Sequence, residues 1–496
     1  PSPAAAPPPK PAMADSPSAG RRSPVIAIMV SFVLLVAVAG GGFALFKNMG
    51  KKSGQQAMVE PADSGPASEP SAPNSDPMPA SKPAASLPGG MAKAGPAPAS
   101  AGGFGGNNSW PQWRGPNRDG KSTETGLLKE WLPAGPPLLW KIRGLGKGFS
   151  TVSVAGGRVY TMGELNDGSH LHCFDEKSGN KIWSSDVIGN KGGDFVGPKS
   201  TPTIDGDRVY CLGQFGDFVC FDAQSGQEVW RKHLMNDFGG KYENWNYTES
   251  PLIDGDKVFA SPGGRRGYMV ALNKGSGATL WQSRQWTDSS QYVSPILAEI
   301  GGRRQVIQLS QQSLVALDVN NGQIIWRVPR RGATAVIPTP VVYNNIVFVT
   351  SGYNIGCNAF QINSQGGRYT SRQLYANKEI INHHGGVILI DKYVYGHSDR
   401  GGWTCLDVTT GQTMWKETGV GKGAVVYADG HLYTRSESGS SNVALVDATP
   451  SGYVEKGRFS QPDRSGAQTW PHPVVVNGKL FLRDQDMLLC YDVRAK

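Results

Sequence analysis

Across residues 110–496 the apolar positions fall in short runs that alternate with polar turns, most of them containing Gly, Asp or Asn. The runs are too short for helices and are rich in Val, Ile, Leu, Tyr and Phe, which suit a pleated surface. A two-residue apolar marker recurs eight times, as Val159-Tyr160, Val209-Tyr210, Val258-Phe259, Val306-Ile307, Val347-Phe348, Val394-Tyr395, Leu432-Tyr433 and Leu480-Phe481. Most copies follow a turn such as "DGDR", "DGDK" or "NGK", which signals a hairpin.

A second pattern keeps step with the first. "CFDEKSGNKIWS" (173–184) returns as "CFDAQSGQEVWR", "ALNKGSGATLWQ", "ALDVNNGQIIWR" and "CLDVTTGQTMWK", with the tryptophans at 183, 230, 281, 326 and 415. Each copy reads as four short strands. Asp accepts backbone N–H groups in the turn after the third strand, and Gly supplies a residue at positive φ. Trp on the fourth strand covers the seam against the next sheet, burying ~200 Å². Four-stranded units at this period predict an all-β fold, an eight-bladed β-propeller. The eighth copy stops at "CYDVRAK" without a fourth strand, while an orphan strand, "LLWKIRG" with Trp140, precedes the first copy. That N-terminal strand is expected to complete the last blade and close the ring, removing the free sheet edges.

The first 109 residues follow different rules. Val25–Phe46 holds 22 residues without a charge, ~33 Å of helix and enough for a bilayer core. It reads as a transmembrane helix after a disordered tail (1–24). The competing reading is a cleaved signal peptide, because Ala37-Val38-Ala39 has the small-x-small form of a cleavage site. The run continues to Phe46, which favours an uncleaved anchor. Residues 47–109 form a Pro/Ala/Ser/Gly-rich tether that cannot bury a core. An extended lead-in (110–137) then joins the propeller (138–496). A single-pass anchor and a tether hold the propeller near a membrane; flanking charge does not set its side, and it is the family resemblance of the repeats, given below, that adds the expectation of a propeller facing the periplasm or exterior.

Composition adds two constraints. Net charge is +9 without basic runs, which gives no footprint for nucleic acid. Of the six cysteines, Cys173, Cys220, Cys405 and Cys490 occupy the slot that holds Ala271 and Ala316, so they read as small buried residues. A turn at Phe215-Gly216 would set Cys211 opposite Cys220, where a strained cross-strand disulfide is an open alternative.

The Asp-x-x-x-Gly-x-x-x-Trp motif in eight blades resembles the PQQ-repeat propellers (pyrroloquinoline quinone), over about 138–496. The resemblance implies one of two roles. Some members are quinoprotein alcohol dehydrogenases that hold the quinone and Ca²⁺ on the propeller axis. Others are cofactor-free scaffolds, such as the BamB-type propeller of the outer-membrane barrel-assembly machinery. The dehydrogenases typically carry a disulfide between adjacent cysteines, and no two cysteines are adjacent here. "WPQWRGPNRDG" (110–120) is also similar to bacterial PQQ-like repeat proteins of unassigned activity. The expected role is a membrane-anchored, non-catalytic scaffold binding an envelope protein or a small planar or anionic ligand. The alternative is a PQQ- and Ca²⁺-dependent dehydrogenase acting on an alcohol or sugar.

Aligned copies place one face's connections around the channel mouth. Candidate ligand-binding residues there are Lys147, Phe149, Lys199, Trp245, Asn246, Tyr247, Glu249, Tyr292, Arg331, His384, Lys422, Trp470 and His472. The lysines and Arg331 against Glu249, with aromatics between them, suit a flat or anionic ligand such as PQQ, a peptide carboxylate or an acidic polysaccharide. Glu249 and Asn246 offer oxygens to Ca²⁺ but fall short of the six to eight it takes. His383 and His384, adjacent on an extended chain, would point to opposite faces, so only His384 is expected at the mouth. No Ser–His–Asp or paired-carboxylate constellation can be assembled.

Overall fold

A computed structural model describes residues 109–496; the apolar block and the tether lie outside the described residues. Among the described residues no helix is long and apolar enough to cross a membrane. The 32 strands form eight four-stranded antiparallel sheets. Blades 1 to 7 begin at Ser153–Ala155, Thr203–Asp205, Leu252–Asp254, Ile296–Ile300, Val341–Tyr343, Val387–Ile390 and Gly423–Ala428. Blade 8 takes three strands from the C-terminus and its outer strand, Leu138–Ile142, from the N-terminus, pairing Trp140 with Cys490. The ring closes as the sequence predicts.

The repeat motif builds the seams between blades. In blade 2, Asp222 Oδ1 accepts from the N–H groups of Gln224 (3.1 Å) and Ser225 (2.9 Å), and Gly226 N–H returns to Asp222 O (2.9 Å). Gly226 has φ +74°, and a Cβ there would meet the Trp183 ring of blade 1 at 2.6 Å. Gly179, Gly277 and Gly322 lie in the same way under Trp140, Trp230 and Trp281. At four seams the indole N–H donates to a carbonyl of the next blade: Trp140 to Glu176 (3.2 Å), Trp230 to Lys274 (2.9 Å), Trp281 to Val319 (3.2 Å) and Trp415 to Thr449 (2.8 Å). Trp326 donates to Gln305 Oε1 of its own blade (2.6 Å), and Trp183 Nε1 has no partner. Within its own blade each Trp faces a small residue on the third strand, Cys173, Cys220, Ala271, Ala316, Cys405 or Cys490. The Cys/Ala slot is therefore the space that the indole needs.

Two irregular blades are repaired by other means. Blade 5 uses Tyr375, which packs over Gly411 and donates from its hydroxyl to Val408 O (3.0 Å). In blade 7 the third-strand residue is large and its partner small, Leu445 opposite Gly457. Trp131, from the lead-in, fills that place, edge-on to Tyr433 and Phe459.

The structure corrects the cysteine pairing. The hairpin turns through Gln214-Phe215-Gly216, so Cys211 pairs with Val219 and Cys220 with Tyr210. One residue of register puts the two thiols on opposite faces of blade 2. Cys211 packs toward blade 1 and Cys220 toward blade 3, and all six cysteines are free and buried.

The seam geometry makes a prediction. Gly226→Ala should destabilise by about 1 kcal/mol or more beyond Gly206→Ala, which has φ +58° but open space around it. Chemical denaturation of the two variants measures the difference.

Candidate functional site at the channel mouth

The segment expected to run extended turns back on itself between Trp113 and Arg118 and plugs the central channel. It enters beside blade 1, where Trp110 and Val154 exchange backbone hydrogen bonds (2.8 Å each), and Pro111 O accepts from Ile204 N of blade 2 (2.7 Å). Arg118 donates to Pro251 O (2.7 Å) and Ser250 O (2.8 Å) of blade 3, and Trp113 Nε1 to Thr339 Oγ1 of blade 5 (3.2 Å). Arg114 reaches Val387 O of blade 6, and the chain leaves beside blade 7 through Tyr427 N to Gly120 O (2.9 Å). Both guanidiniums are fully buried, which lowers Arg114 to about 10 and Arg118 to about 9. Main-chain carbonyls bind both groups, with the charges of Asp119 and Glu249 acting in their favour, and a buried cation without such partners would cost several kcal/mol.

Above the plug is a cavity of about 190 Å³. It is lined by Trp113, Phe149, Phe195, Lys199, Trp245, Thr248, Ser250, Tyr292, Ser294, Ile337, Tyr353, His383, His384, Trp470 and His472. The rings touch in sequence around the wall. Phe149 and Phe195 lie 4.7 and 4.9 Å from Trp470, and Phe195 and Tyr292 lie 6.3 and 5.7 Å from Trp245. His384 lies 5.0 Å from Trp470, His383 4.7 Å from His384, and Tyr353 4.8 Å from His383. Trp113 and His472, 4.5 Å apart, form the floor.

Seven of the candidates thus line one cavity: Phe149, Lys199, Trp245, Tyr292, His384, Trp470 and His472. The rest do not. Lys147 and Arg331 are exposed outside it. Tyr247 is core, its hydroxyl donating to Pro262 O (2.8 Å). Asn246 sits at φ +68° beside Gly193. Glu249 is fully buried, accepting from Ser261 N–H and from Gln308 Nε2 (3.4 Å), so it staples blade 3 to blade 4. Burial pushes its carboxyl up to about 7, with Ser261 and Arg118 pulling the other way. Asn246 and Glu249 therefore do not form a Ca²⁺ pair.

His383 was expected to face away, but residues 383–385 bend instead of running extended, which brings both histidines to the wall. Lys422 Nζ donates to His383 Nδ1 (2.8 Å), and His383 Nε2 meets Tyr353 Oη (2.9 Å). Burial, then the charges of His384 and Lys422, lower His383 to about 4. Lys422 also pairs with Asp399 (3.2 Å) and approaches Glu437 (3.9 Å). Glu437 Oε2 accepts from Trp470 Nε1 (3.1 Å) and lies 2.5 Å from His384 Nε2. Burial raises the Glu437 carboxyl, but His384 and Lys422 outweigh it and hold it below the usual range. With Nε2 against Glu437, His384 Nδ1 has no partner, although the side chain is only 10% exposed. Lys199 is lowered to about 8 by burial, against the pull of Glu164 and Asp194.

Tyr353, Asp399 and Glu437 escaped the sequence reading because they follow second strands. Those hairpin loops open on the same face as the outer-to-inner connections, and counting them would have found all three.

A family model described as outer membrane protein assembly factor BamB matches residues 167–417. The chain belongs to this PQQ-repeat family. Its propeller is similar to BamB of Moraxella catarrhalis, at 17% identity and TM-score 0.53 over 73% of this chain and 99% of that one. It is also similar to a quinohemoprotein alcohol dehydrogenase of Pseudomonas putida HK5, at 13% identity and TM-score 0.55, covering 79% and 81%. At these identities the likeness shows the fold alone. No curated protein sequence matches.

The buried titratable groups of this PQQ-repeat propeller give it a pH dependence of two signs. His472 is lowered to about 3 by burial, then by Arg114, so the unfolded chain binds the extra proton below about pH 6.5. Its share of stability is present above that pH and is lost as pH falls. His472→Gln should reduce the acid-side slope of unfolding free energy by about 1 kcal/mol per pH unit, measured by urea titration between pH 6.5 and 4.5. Glu249 acts oppositely, since its raised pKa loses stability as pH rises through 4.5 to about 7. Glu249→Gln should therefore gain stability at pH 8 relative to wild type and not at pH 4.

Proposed function

We propose that this chain is a non-catalytic scaffold of the cell envelope that presents the aromatic cup at its channel mouth to a ligand or partner. The observation that carries the reading is the plug. Trp110 to Gly120 fill the axis where the family's quinone and Ca²⁺ would be expected, and leave a cavity of about 190 Å³. That is below the ~300 Å³ at which pockets for drug-sized ligands begin, and small for a planar tricarboxylate.

The donor set points the same way. A tricarboxylate needs several free cations, but Arg114 and Arg118 are buried against carbonyls, Lys422 is taken up by His383 and Asp399, and Lys199 is the one lysine left in the lining. Ca²⁺ needs six to eight oxygens. Among the described residues no group of three His, Cys, Asp or Glu side chains converges in a metal-ligand arrangement. Glu249 is held by Ser261 and Gln308. The residues do not fit PQQ with Ca²⁺. Placement at a membrane rests on the Val25–Phe46 block, and a protein partner on membership of the BamB-described family.

Titration of the full chain with PQQ and Ca²⁺, followed by absorbance and by reduction of an acceptor dye, tests the reading. The expected result is no saturable change and no turnover. Micromolar binding that is lost in Lys199→Ala, with dye reduction by an alcohol or sugar, would put the dehydrogenase in its place.

A further inference from the structure

Resting on the cup as a binding site, we infer that its occupant is a neutral pyranose ring, the terminal residue of a glycan. The proposal combines three properties of the cup: its size, its charge balance and one unsatisfied side chain.

Size limits the occupant to a single ring. The cavity is about 190 Å³ and its wall consists of tilted aromatic faces. Trp470 stands at the centre of that wall, with Phe149, Phe195 and His384 at 4.7, 4.9 and 5.0 Å. Such a wall offers π faces to the flat C–H side of a sugar.

The charges disfavour an ion. Sequence order suggested a cationic mouth, but Lys147 and Arg331 lie outside and Lys422 is paired with Asp399 and approaches Glu437. Lys199 is the one lysine in the lining, and burial lowers it to about 8. An anion would find that single ammonium and no guanidinium beside it. A quaternary ammonium would find aromatic faces but also Lys199.

The unsatisfied group selects hydroxyls. His384 is nine-tenths buried in the wall; its Nε2 lies 2.5 Å from Glu437 Oε2, and its Nδ1 has no partner. A hydroxyl both donates and accepts, so one sugar hydroxyl would satisfy Nδ1. An aromatic peptide side chain would stack as well but would leave Nδ1 unpaired, at a cost of about 1–3 kcal/mol. The other polar linings are already engaged: Thr248 Oγ1 donates to Tyr292 O (3.0 Å), and Ser250 and Ser294 hydroxyls accept from Thr201 and Ser250 N–H (2.9 Å each).

The experiment is tryptophan fluorescence and saturation-transfer NMR on the full chain. The probes are the methyl β-glycosides of glucose, galactose, mannose and N-acetylglucosamine, with methyl glucuronide, tetramethylammonium and indole-3-acetamide as controls. At least one neutral glycoside is expected to bind saturably with Kd on the order of 0.1–1 mM, the range for a ligand of this size. Trp470→Ala and His384→Ala should each weaken it about tenfold or more, with thermal unfolding retained as a single transition near the wild-type Tm. Phe149→Leu, which keeps an apolar wall, is a milder second variant and should weaken binding severalfold.

Binding of the uronide or of tetramethylammonium, without a neutral glycoside, overturns the inference on charge. Binding of indole-3-acetamide alone, lost in Trp470→Ala, overturns the glycan but leaves the cup as a binding site. No Trp470-dependent signal from any probe overturns both.

Discussion

The indole-over-glycine seam is the contact on which the rest of this molecule depends. A glycine without a side chain, held at positive φ by an Asp-anchored turn, lets the tryptophan of the preceding blade lie flat against the backbone. The indole N–H then reaches a carbonyl of the next blade. Where both contacts are present, at Trp140, Trp230 and Trp281, the seam fixes both the spacing and the tilt of adjacent sheets. Because the ring closes on itself through Leu138–Ile142, an error at one seam would be shared by all. Tyr375 and Trp131 show that the requirement is for a large flat group with a polar tip, or for any aromatic volume, at that position.

The ring alone would leave an open axis. The lead-in converts it into a closed cup by putting Trp113 at the floor and by spending two buried arginines on carbonyls of blades 3 and 6. This sets the depth of the cavity, and with it the size of anything bound there. Trp131, further along the same segment, seals blade 7. Plug and seam repair are therefore covalently continuous, which ties the geometry of the mouth to closure of the ring.

At the mouth, charges from two kinds of loop meet. Lys422 comes from an outer-to-inner connection, while Asp399 and Glu437 follow second strands. Glu437 also holds His384 by Nε2, which leaves Nδ1 of that imidazole without a partner beside the aromatic interior. Neutral His383 in the wall and His472 in the floor add polar, uncharged surface.

The sequence alone determined the blade count, the strand order, the ring closure and the roles of Asp, Gly and Trp, because these rest on local periodicity and on turn chemistry that repeats. It also placed seven residues of the cup, since alignment of the copies puts equivalent connections on one face. Tertiary structure decided the rest. The register of the Cys211 hairpin depended on a three-residue turn instead of a two-residue one. The fate of Glu249 depended on Ser261 and Gln308, which no spacing rule brings near it. The plug was invisible because "WPQWRGPNRDG" has no periodic partner in the chain; its arginines acquire meaning only from carbonyls on blades more than a hundred residues away. Local patterns fix what a chain repeats, and long-range contacts fix what fills the space the repeats enclose.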